Sequence, residues 1–134
     1  MTVIVCIEDR GGILFNKRRV GRDALVYDDI ARDHDRILLN SYSLPLFEGR
    51  IPETVICNSP ISQGSAGDVC FIESGEIKDN LDRISRIILY RWNRRYPSDV
   101  RLGFEPGEVG FSLEATSEFV GNAHERITKE IYKK

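Results

Sequence analysis

Val69-Cys-Phe-Ile-Glu-Ser-Gly-Glu-Ile-Lys-Asp-Asn-Leu-Asp-Arg-Ile84 reads as a buried apolar strand that turns sharply into a helix. In α/β proteins that junction is where backbone amides meet phosphates. Gly75 sits in the turn between Glu73 and Glu76, whereas a dinucleotide-binding loop presents bare glycines and no negative charge. The scaffold therefore points toward a nucleotide site and the charges point away from one.

Outward from this stretch, apolar runs at Thr2 to Ile7, Arg36 to Asn40, Thr54 to Cys57, Val69 to Ile72 and Arg86 to Trp92 predict strands. Asp23 is a good N-cap for a helix through about Asp33, with Val26, Tyr27 and Ile30 as its inner stripe. Ser43 and Pro45 open a brief second helix ending at Gly49, and Ile77, Leu81 and Ile84 recur at helical spacing after the fourth strand. Glu8 to Gly12 reads as a turn, Asn16 to Arg22 as a basic loop and Ser62 to Gly67 as a polar loop. Gly110 to Phe119 and His124 to Tyr132 alternate polar and apolar residues about Val120 to Ala123, the pattern of an antiparallel hairpin at a sheet edge. The sum is an α/β fold: a single mixed, mainly parallel sheet flanked by helices, with a C-terminal antiparallel hairpin.

At 134 residues the chain fits one domain, residues 1–134. A formal net charge of -2 supplies no global attraction to nucleic acid, so any basic surface must be local. Cys6, Cys57 and Cys70 lie in apolar runs without metal-like spacing, which predicts buried reduced thiols and a cytoplasmic compartment. The opening Met-Thr-Val-Ile-Val-Cys-Ile-Glu has no basic leader and is far too short for a membrane span.

In its order of segments the chain resembles the dihydrofolate reductase family. Asp9-Arg10-Gly11-Gly12-Ile13 after the first strand looks like the start of that family's mobile loop. Asp23 through Tyr27 is similar to the helix in which an acid precedes an aromatic by four residues, and Ile37 through Ser43 looks like the strand and cofactor-binding turn. Gly49 through Ser59 resembles the next strand, and Tyr96 through Tyr132 the terminal strands. The resemblance implies an NAD(P)H-dependent reductase-type scaffold holding a small heteroaromatic or nucleotide ligand. By the same resemblance Asp23 is the catalytic carboxylate, Tyr27 and Arg50 meet the substrate, and Ser41, Tyr42, Ser43, Ser74 and Gly75 hold the cofactor. NADPH is the cofactor so implied, and Glu73 and Glu76 oppose it: one carboxylate 4 Å from a phosphate costs on the order of 4 kcal/mol at an effective dielectric of 20. The expected protein is a divergent relative in which NADPH-dependent reduction is impaired.

Arg91-Trp92-Asn93-Arg94-Arg95-Tyr96 interleaves cations with aromatics and supports the alternative, a non-catalytic protein- or RNA-binding module. Strand alternation instead sends Trp92 into the core and leaves the arginines solvated or paired. His34 and His124, the only histidines, stand in no metal-binding pattern, and Asp28, Asp29, Asp33 and Asp35 are spread around a helix end. No Gly-x-Ser-x-Gly, Walker loop or cysteine with a nearby histidine is present. The C-terminal edge strands leave homodimer formation open.

Overall fold

The structure, a computed structural model, describes residues 1–134. Strand β1 (Thr2–Ile7) alternates its side chains between two apolar layers. Val3, Val5 and Ile7 enter one layer with Ile87 and Leu89, while Ile4 enters the other with Ile88 and Tyr90. A strand covered on both faces belongs at the centre of a sheet. β1 does lie centrally in a seven-stranded sheet.

The remaining elements are β2 (Gly12–Phe15), β3 (Arg18–Arg19), α1 (Ala24–Asp33), β4 (Arg36–Leu39), β5 (Glu53–Ile56), α2 (Pro60–Gln63), β6 (Val69–Phe71), β7 (Arg86–Arg91), β8 (Val100–Arg101), β9 (Ser112–Phe119) and β10 (Ile127–Lys133). The large sheet runs β5-β4-β6-β1-β7-β10-β9; its first five strands are parallel, and β10 and β9 close it as an antiparallel hairpin. Helix α1 lays Val26, Tyr27 and Ile30 over one face, against Ile4, Ile37, Leu39, Phe71 and Tyr90. On the opposite face Ile61, Ile77, Ile84 and Phe111 pack over Val3, Val5, Ile7 and Leu89. The connection leaving β1 crosses the α1 face toward β4, and that leaving β6 crosses the other face toward β7. These chains diverge, so a crevice opens between the carboxyl ends of β1 and β6, the usual ligand position in open α/β sheets.

Three sequence expectations need correction. The segment after β6 is not an α-helix: residues Lys78–Arg83 form 3-10 turns broken at Asn80, whose φ is -128°. The Asn80 side chain donates to the Glu76 carbonyl at 2.6 Å, competing with the helical ladder. Ile77 and Ile84 are buried all the same, so the apolar spacing served packing alone. The loop expected over Ser62 to Gly67 begins inside α2, which Pro60 opens. The basic loop Asn16 to Arg22 contains half of a β-hairpin, β2 to β3, whose tip residues Asn16 and Lys17 take φ of 53° and 65°. Two successive left-handed residues are what a type I′ turn requires. β8 completes this small sheet against β2. The three cysteines are unbridged, and no helix is long and apolar enough to cross a membrane.

Candidate functional site

The crevice between β1 and β6 holds a buried ion pair. Glu73 lies two residues past the end of β6 and is 9% exposed; the β2–β3 hairpin swings Arg19 over it. Arg19 donates through Nε to Oε2 at 2.8 Å and through Nη2 to Oε1 at 3.0 Å, a two-pronged guanidinium–carboxylate pair. Ser43 Oγ donates to the same Oε1 at 2.7 Å. Burial works against the Arg19 charge, but the hydrogen bond and charge of Glu73 outweigh it and raise its pKa above the ordinary value. Tyr42 stacks under the guanidinium at 4.3 Å, accepts from it through its carbonyl, and takes the Arg19 backbone N–H on its phenol oxygen at 2.9 Å. Nearby, burial pushes the Cys6 thiol well above its ordinary pKa, with the Glu73 charge adding to it, so Cys6 stays un-ionised.

In front of this pair lies a cleft of about 460 Å³ lined by Leu14, Asn16, Lys17, Asn40, Tyr42, Glu73, Asp99 and Val100. Of the residues singled out from the sequence, Tyr42 and Ser43 belong to this neighbourhood, although Ser43 has given its hydroxyl to Glu73. Ser41 is exposed at the start of the same turn. Ser74 turns away, donating to Glu76 Oε2 at 2.9 Å, and Gly75 is exposed without hydrogen-bonding to the turn. Glu76 faces α2 and accepts the Ile61 N–H at 3.3 Å, next to the helix start, where negative charge is favourable. The two acids flanking Gly75 thus have opposite fates. Glu73 enters the crevice neutralised, and Glu76 leaves it.

Tyr27 is buried and packs edge-on against Phe47 and Phe71 at 5.6 and 6.4 Å. Burial raises its phenol pKa far above the ordinary range. Arg50 bonds Asp28 at 2.8 Å and the Leu46 carbonyl at 2.8 Å on the α1 side.

Asp23 belongs to a second cluster. It is buried and caps α1, with Oδ1 accepting from Leu25 N at 3.0 Å and Asn122 N at 2.8 Å. Oδ2 accepts from Ala123 N at 2.8 Å and lies 2.9 Å from His124 Nδ1. His124 Nε2 meets the Tyr96 hydroxyl at 2.8 Å, and its ring stacks on Trp92 at a centroid distance of 4.6 Å. Burial tends to raise the Asp23 pKa, but bonds from Asn122, His124, Ala123 and Leu25 together hold it below the ordinary value. The carboxylate that the resemblance makes catalytic caps α1 and accepts hydrogen bonds from the β9–β10 connection. No sequence signal pointed to His124, because its partner Asp23 lies 101 residues away.

Gly121 gives this latch a steric test. Its N–H donates to the His124 carbonyl at 2.9 Å, and a Cβ at this position would collide with Asp23 Oδ2. Gly121→Ala is expected to cost about 1–3 kcal/mol in urea unfolding, as overpacking of a filled site does. An unchanged midpoint would mean that the turn yields freely.

The Arg91 to Tyr96 segment is largely committed within the chain. Arg91 bonds Glu130 at 2.7 Å, Trp92 is 2% exposed, and Asn93 donates to the Arg126 carbonyl and to Thr128 Oγ1.

Among solved structures, the chain is similar to dihydrofolate reductase from Enterococcus faecalis, solved in complex with NADP(H) and RAB-propyl. The TM-score is 0.66 and the identity 13%, covering 98% of this chain and 94% of that one. The fold is dihydrofolate reductase-like. No family model matches the sequence, and no curated protein matches it.

Proposed function

We propose that the protein binds a small planar heteroaromatic ligand in the cleft between the β2–β3 hairpin and the carboxyl ends of β4 and β6, and that it is not an NADPH-dependent reductase. The observation carrying this reading is the Arg19–Glu73–Ser43 cluster. Glu73 has three of its roughly four acceptor positions filled by Arg19 Nε, Arg19 Nη2 and Ser43 Oγ, which leaves one for a ring N–H. Tyr42, 40% exposed, offers an aromatic face, Leu14 and Val100 apolar walls, and Asn16 and Asn40 amides for ring edges.

Pairing with Arg19 removes most of the penalty that a bare Glu73 would impose on a phosphate. Dinucleotide binding is opposed instead by occupancy. The Ser43 hydroxyl is already spent, the guanidinium is already paired, and Glu73 and Asp99 leave little net positive charge beside Lys17.

Thermal-shift titration tests this with NADPH, dihydrofolate, free pterin and free adenine. Saturable stabilisation by at least one uncharged bicyclic ring, lost in Tyr42→Ala, and no shift with NADPH are expected. Saturable NADPH stabilisation, with oxidation of the coenzyme when dihydrofolate is added, would overturn the reading.

A further inference from the structure

Asp23, His124 and Tyr96 form a hydrogen-bonded relay. Each oxygen of Asp23 already accepts a backbone N–H, so this lowered-pKa carboxylate takes the Nδ1–H of His124 as a further donor. In the tautomer that carries its proton on Nδ1, Nε2 is an acceptor, and the Tyr96 hydroxyl 2.8 Å away donates to it. Arg94 Nη1 stands 3.3 Å from the same phenol oxygen. Transfer of the phenol proton to Nε2 would give the sequence carboxylate, imidazolium, phenolate, guanidinium, with every charge beside its opposite. The imidazole is held for this by Trp92 stacked on one face, and its side chain is 3% exposed. His124 and Arg94, the two residues that hold the Tyr96 hydroxyl, line a cleft of about 590 Å³ together with Trp92, Asn93, Ala123, Glu125 and Arg126, while Tyr96 itself is not part of that lining.

We propose that Tyr96 is a base-activated nucleophile of a second site, separate from the β1–β6 crevice, and that its substrates are small activated carboxylic esters. In the first step the Tyr96 oxygen bonds to the ester carbonyl carbon, the bond from that carbon to the leaving oxygen breaks, and the phenol proton passes to His124 Nε2, which returns it to the departing alkoxide. In the second step water attacks the acyl-tyrosine carbonyl, giving its proton to Nε2 and thence to the released phenolate. The sum is ester plus water to acid plus alcohol. Asp23 is a positioning residue that holds the imidazole tautomer, and Arg94 stabilises the phenolate.

Tyr42 supplies an internal reference, since at 40% exposed it is more accessible than half-buried Tyr96 but has no histidine. Incubation with para-nitrophenyl acetate at about pH 7, where an ordinary tyrosine is almost wholly protonated, is followed by site-resolved mass spectrometry. Initial acetylation at Tyr96 is expected to exceed that at Tyr42 by about 100-fold, the low end of what a positioned base contributes. His124→Gln should bring Tyr96 down to the Tyr42 rate, and Tyr96→Phe should abolish the rapid release of nitrophenolate. Arg94→Gln, an exposed change that leaves the core intact, should slow Tyr96 severalfold. Equal labelling of the two tyrosines in the native protein, acetyl found on His124 in place of Tyr96, or a Tyr96 rate indifferent to both His124→Gln and Arg94→Gln would each overturn the proposal.

Discussion

Arg19→Met is expected to destabilise the protein by about 3–5 kcal/mol, the cost of breaking a buried ion pair from one side. The Arg19 side chain is 18% exposed and that of Glu73 8%, so water cannot replace the lost donors at little cost. Two hydrogen bonds from Arg19 disappear, and Ser43 Oγ alone remains on the carboxylate. Tyr42 also loses the cation over its ring and the bond to its carbonyl. The double change Arg19→Met with Glu73→Met should recover most of the loss, because two apolar side chains of similar volume remove both desolvated charges together. Urea unfolding of the four proteins in the cycle measures this. If Arg19→Met alone falls within about 1 kcal/mol of the native protein, as an exposed pair would, the crevice is wetter than the geometry implies and the occupancy argument against a dinucleotide fails with it.

That pair also marks the limit of what the sequence could reveal. The strands β1, β4, β5, β6, β7, β9 and β10 and the helix α1 were legible because each carries its own pattern, and Asp23 announced the start of α1 through ordinary capping chemistry. Their order sufficed for a dihydrofolate reductase-like sheet. The small β3-β2-β8 sheet was not legible: its strands have four residues or fewer, and its turn uses Asn16-Lys17 where glycine would have been the signal. Missing the hairpin meant missing Arg19, which reaches Glu73 across 54 residues. Glu73 then looked like a bare charge in a phosphate loop. The helix expected after β6 failed for the opposite reason, since Ile77, Leu81 and Ile84 carry helical spacing that a pair of 3-10 turns also satisfies. Tyr27, Tyr42 and Asp23 were all noticed, but their roles depend on contacts from distant segments, which local pattern does not encode.

Asp23→Ala is expected to cost on the order of 4 kcal/mol, and its dependence on pH identifies the cause. The cap itself accounts for about 1 kcal/mol. The N–H groups of Asn122 and Ala123 and the Nδ1–H of His124 each lose a buried acceptor, at about 1 kcal/mol or more apiece. The native Asp23 pKa lies below its ordinary value, so in acid the unfolded chain takes up this proton more readily than the folded one. Stability from Asp23 is therefore complete above the unfolded pKa of about 3.9 and is lost as pH falls through the lower folded value. The part of the difference in unfolding free energy between the native protein and Asp23→Ala that belongs to the Asp23 charge should be present above about pH 4 and narrow below it. A difference that widens in acid would mean that burial, which acts to raise this pKa, outweighs the four donors. Asp23 would then resemble a proton-delivering acid rather than a latch. The expected narrowing, seen without any ligand, would assign its charge to holding the β9–β10 turn and His124 against α1.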